Sequence, residues 1–123
     1  MRPVLAVLAA TVWISISEFV RNELLFKAYW VDHFAGLGLT FPDAPVNGVL
    51  WGVWSLLFAL FIFLLARRFS LAATTGIAWL AGFVLMWVAL GNLGVLPFGL
   101  LVFAVPLSLL EAVLAAWIVK ALG

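Results

Sequence analysis

Four stretches of roughly twenty residues each, long enough to cross a bilayer as helices, are almost wholly apolar. They run from Pro3 to about Val20, Gly48 to Ala66, Leu71 to Leu90 and Pro97 to Val119. A chain of 123 residues has no room to bury four such helices in a core surrounded by water. Only 9% of the residues are charged, where a soluble domain carries about 25%. The expected fold is therefore all-α: a polytopic membrane protein, a four-transmembrane-helix bundle with an extended first helix and an outer loop. Residues 1–123 are read as a single membrane domain. "MRPVLAVLAATVWISIS" is expected to act as an anchor helix rather than a cleaved leader.

The connections are unequal. "RRFS" (67–70) and "GNLGVL" (91–96) are tight hairpins, and Pro97 suits the first turn of the last helix. The long connection, 21–47, has no Gly or Pro until Gly36, so the first helix is expected to continue past the membrane to about Ala35. Orientation follows from the basic residues. Arg2, Arg67, Arg68 and Lys120 fall on one side, Arg21 and Lys27 on the other. The richer side is cytoplasmic, which puts both termini inside a cell (inner) membrane crossed several times. Trp30, Trp51, Trp54 and Trp87 fall near the outer interface and Trp117 near the inner one, as an aromatic belt does. Trp13 and Trp79 lie away from that belt.

Helices in lipid pack closely through small residues. Gly48, Gly52, Ser55 and Ala59 form one face of the second span. Thr75, Ala78 and Gly82 do so on the third, and Ala104, Ser108, Glu111 or Ala112, and Ala115 on the fourth. Such stripes are expected inside the bundle or against another subunit.

Glu111 is the polar residue that most needs explaining. Along a helix it lies roughly 13 Å from Lys120, near the middle of a hydrocarbon core about 30 Å thick. A charge there costs at least about 3 kcal/mol. Thr11, Trp13, Thr75 and Trp79 share that depth on neighbouring spans, and none of them is a cation. Glu111 is thus expected to be protonated, in a buried polar layer with Ser108, Pro106, Thr11, Trp13, Thr75 and Trp79. Pro106 takes the helical partner from the carbonyl of Val102 and is expected to kink the helix. A second, outer polar cluster comprises Glu18, Arg21, Asn22, Tyr29, Asp32 and His33 along one helix face. Within it Glu18 pairs with Arg21, and nearby Glu23 with Lys27. Arg21 is expected to snorkel outward. The cluster reads either as a vestibule or docking surface, or as an amphipathic helix end at the interface.

Several function classes drop out. The net charge is +1 with no basic stripe, which removes nucleic acid as a partner. There is no cysteine and one histidine, so His33 lacks the companions a metal site needs, and no metal or cofactor is expected. HExxH, GxSxG and glycine-rich phosphate loops are missing, so no enzyme is expected. The size and four-helix plan resemble small multidrug transporters and fluoride channels. The transporters carry their essential Glu in the first helix, whereas the central acid here is in the fourth, and the fluoride channels have a different glycine and asparagine pattern. No family is assigned. Two readings remain. The first is a structural or accessory subunit of a homo-oligomer or membrane complex, its partners being the bilayer and other membrane subunits. The second is a small proton- or ion-coupled transporter or channel using Glu111, with an ion or small molecule as ligand.

Overall fold

The computed structural model describes residues 2–123 as five helices, with no strand among the described residues. They are α1 (Arg2–Leu25), α2 (Lys27–Gly36), α3 (Pro45–Ala66), α4 (Leu71–Asn92) and α5 (Phe98–Leu122). All but α2 are long and apolar enough to cross a membrane.

Local chemistry sets the ends of these helices. Pro45 occupies the first turn of α3, where its missing N–H costs nothing. The Asn47 side chain accepts from the Ala44 N–H at 3.0 Å. Ser70 caps α4 by accepting from the Ala73 N–H at 3.2 Å. Gly38 and Gly94 follow α2 and α4 with φ of 75° and 77°, the left-handed turn that lets a chain leave a helix. The N–H groups just after them close back onto Phe34 and Leu90.

Successive long helices run in opposite directions. At one end Arg2 Nε donates to the Leu122 carbonyl at 3.3 Å, and Lys120 Nζ to the Ala66 carbonyl at 3.0 Å. Arg67 and Arg68 lie in the turn that follows α3 at this end. The opposite end carries α2 and the loops. The core lies between, with Ala6, Ala10 and Ile14 from α1, Ala59 and Ile62 from α3, and Ala112, Ala115 and Ala116 from α5 all fully buried. Alanine at these positions lets backbones approach closely. α5 packs against α1, α3 and α4 alike, so a polar residue on its inner face meets the whole assembly.

Two expectations need correction, and two others gain detail. α1 does not run to Ala35. It winds to the wider π form over Val20–Leu25 and breaks at Phe26 (φ −126°, ψ 15°), whose N–H bonds to the Arg21 carbonyl at 2.9 Å. No glycine or proline marks this break. The Phe26 ring stacks on Phe103 of α5, centroids 5.1 Å apart. Pro97 stands before the last helix in extended conformation (ψ 94°), not in its first turn. α5 runs through Pro106 as a single helix, and Pro106 faces outward. Finally, Gly48 and Gly52 are exposed, and a Cβ on either would meet nothing within 4 Å. Only Ser55 and Ala59 of that stripe are buried.

Candidate functional site: a buried Glu–Arg–Glu cluster

The inner stripe of α1 has a period of about four: Ala6, Ala10, Ile14 and then Glu18, with Arg21 one turn on. A face that starts with alanines therefore ends on an acid and a base. Both are buried, each 7% exposed, and Glu111 of α5 is fully buried. Arg21 Nη2 lies 2.7 Å from Glu18 Oε1, and Arg21 Nη1 lies 3.8 Å from Glu111 Oε1. Asn22 Nδ2 donates to the other Glu18 oxygen at 2.9 Å. The guanidinium sits over the Phe83 ring of α4, 5.3 Å from its centroid, an attractive arrangement for a desolvated cation.

Glu111 therefore does have a cation beside it, which corrects the expectation drawn from depth. Arg21 turns inward and does not snorkel to the surface. At the backbone, Arg21 lies about 12 Å beyond the level of Trp13 along α1. Trp13 marks the level of Glu111, because its indole N–H donates to the Glu111 carbonyl at 3.0 Å. Side chains on a helix tilt toward its N-terminus. α1 and α5 run antiparallel, so Arg21 tilts down while Glu111 tilts up, and the two long side chains close the gap.

The expected polar layer forms only in part. Trp79 Nε1 donates to Ser108 Oγ at 2.9 Å, and Ser108 Oγ donates to the Val105 carbonyl at 3.0 Å. Trp13 reaches the backbone of Glu111, not its carboxyl. Thr11 and Thr75 bond to the carbonyls one turn back, Val7 and Leu71, and join no network. Pro106 is exposed. Phe83 and the fully buried Thr74 were not singled out by the sequence reading. The α1 stripe was the signal that could have linked Arg21 to the interior.

The outer cluster divides at Phe26. Glu18, Arg21 and Asn22 belong with Glu111. Tyr29, Asp32 and His33 of α2 instead face Pro97, Phe98 and Gly99 across an open cleft of ≈ 470 Å³. Nearby, Lys27 lies 3.2 Å from Glu23 and 3.6 Å from Asp43, on the surface. Hydrogen bonding to Glu23, then its charge and that of Asp43, holds the Lys27 amine above the ordinary lysine range. A second, apolar cleft of ≈ 540 Å³ lies between Trp54, Phe58 and Phe61 of α3 and Gly82, Leu85 and Met86 of α4. Neither cleft is lined by Glu18, Arg21 or Glu111. No group of three or more metal-ligating side chains occurs among the described residues.

Near the cluster two helices depart from regular α form. α1 is π-wound over Val20–Leu25 and α4 over Leu80–Val84, and α5 carries Pro106. Single π turns tend to sit at functional positions in helices. No family model, curated protein or solved structure matches the chain.

Proposed function

We propose that the chain is a multi-pass protein of a cell (inner) membrane, a four-span bundle with both termini cytoplasmic, acting as a structural or accessory subunit of a homo-oligomer or membrane complex. The observation that carries this reading is the complete burial of Glu111 beside an arginine that also binds Glu18. A buried ionic group fixes register and partner choice between helices, and here it joins α1 to α5. The membrane side rests on the four long apolar helices and on the basic end formed by Arg2, Arg67, Arg68 and Lys120. Gly48 and Gly52 lie open on α3 beside exposed Val49 and Val53, which suits them to a neighbouring helix.

The test is self-association or co-purification of the full chain from membranes, compared with Gly48→Leu/Gly52→Leu. The expected result is a complex that the double variant weakens at least about tenfold, a change of 1.4 kcal/mol. A wild-type chain that stays monomeric in lipid and copurifies with nothing overturns the assembly reading. Reporter fusions to either terminus are expected to report the cytoplasm.

A second reading, a proton- or ion-coupled transporter or channel, draws support from the two π segments and Pro106 near the cluster. It needs water to reach Glu111, and the enclosure of that residue weighs toward the first reading.

A further inference from the structure

The cluster holds two carboxyls and one guanidinium. With both acids ionised its formal charge is −1, in surroundings where an uncompensated charge is costly. On α2, Lys27 is paired with Glu23 and Asp43 at the surface, and Asp32 and His33 line the cleft against Pro97, Phe98 and Gly99. α3 and α4 contain no ionisable residue, and the only other one on α5, Lys120, is tied to Ala66 at the far end. On α1 the remaining ionisable groups are Arg2, also at that end, and the exposed Glu23. A single positive charge must therefore be supplied from outside the chain's own side chains.

The geometry points to one bound proton, carried by Glu111, with the negative charge held on Glu18. Glu18 takes the two close contacts of the cluster, an ion pair with Arg21 at 2.7 Å and a hydrogen bond from Asn22 at 2.9 Å. Glu111 stands 3.8 Å from the same guanidinium, beyond hydrogen-bonding reach, and both of its carboxyl oxygens lack a hydrogen-bond partner among the described residues, whereas one of the two Glu18 oxygens has Asn22. A neutral carboxyl can stand off from a cation in this way, whereas an ionised one in so dry a place would draw the arginine to itself. A metal cation fits poorly. It would need several more oxygens and would sit against Arg21. Glu18 keeps a few per cent of its surface open while Glu111 has none, so a proton entering the cluster meets the Glu18 carboxyl first. The cluster is thus a one-proton site in which Arg21 chooses between two acids. Release of the proton from Glu111 is expected to pull Arg21 off Glu18.

This rests on the reading of the chain as membrane-spanning, but its readout is separate from assembly. Infrared spectra of the full chain in lipid vesicles at neutral pH, in potassium buffer, would be recorded in H₂O and in D₂O. Wild type is expected to show the C=O band of a single protonated carboxyl, shifted by D₂O. Glu111→Gln is expected to remove that band, and Glu111→Asp, which keeps the acid, to shift it. Glu18→Gln is expected to remove it as well, because Arg21 then has only Glu111 as its carboxylate partner. Wild type without the band, or a band that survives in Glu111→Gln, overturns the assignment. So does loss of the band when sodium replaces potassium, which would put a metal ion where the proton is placed. Helical circular dichroism of each variant confirms that it is folded, and the wild-type spectrum decides the matter should a variant fail to fold.

Discussion

Two networks built from the same residue types lie a few positions apart on this chain, and burial alone separates them. Glu18 and Arg21 are spaced three apart, Glu23 and Lys27 four apart, and each cation reaches a further acid, Glu111 in one case and Asp43 in the other. The first network is nearly closed to solvent. In the second every member keeps a third or more of its side chain open. An exposed pair is screened and exchanges its bonds with water at little cost. A buried one, if left with a single partner missing, strands a charge. The difference teaches that helix spacing says which residues can pair, while the face on which they fall says whether the pair matters.

The sharpest way to break this contrast is Arg21→Met. It leaves Glu18 and Glu111 buried without their cation, and a loss of about 3–5 kcal/mol is expected, read as a large drop in the apparent unfolding midpoint or in the yield of folded chain from membranes. Next comes Gly82→Ala, a change of packing without change of charge. Its Cβ would stand 2.6 Å from the Phe58 ring, and overpacking of this kind costs about 1–3 kcal/mol. An effect as large as that of Arg21→Met would mean that packing, not charge, governs this level of the molecule. Trp79→Phe removes the indole donor to Ser108 and keeps the ring. About 1 kcal/mol is expected, because Ser108 still bonds to Val105. Lys27→Met should leave the midpoint where it was. The Lys27 amine is raised, so its contribution is complete below the ordinary lysine range and fades only as pH climbs through the raised value. Around neutrality wild type and Lys27→Met should therefore have parallel pH profiles.

Much of this was legible in the residues. The four long helices follow from the length of the apolar runs; α4 starts at Leu71 as expected, while α3 starts at Pro45, ahead of the expected Gly48. Glu111 stood out because so little else is polar. Spacing along a helix axis carries no information on the length and direction of a side chain. The Cα of Arg21 lies toward the surface end of α1, but the antiparallel tilt of α1 and α5 brings its side chain to Glu111. The break at Phe26 carries no glycine or proline, and arises where π winding and the stacking on Phe103 redirect the chain. Gly48 and Gly52 matched a packing stripe by spacing, but the partner face is not supplied by this chain.

The central claim is that Arg21, Glu18 and Glu111 form one buried unit whose members are needed together. The most direct test compares the apparent unfolding midpoint, in one lipid environment, of wild type, Arg21→Met and the triple variant Glu18→Leu/Arg21→Met/Glu111→Leu. Replacing a whole buried ionic group with apolar side chains of similar volume is neutral, or stabilises by about 1–4 kcal/mol. The triple variant is therefore predicted to recover the wild-type midpoint or exceed it, while Arg21→Met alone falls far below. A triple variant as unstable as Arg21→Met, or an Arg21→Met that melts with wild type, would contradict the account.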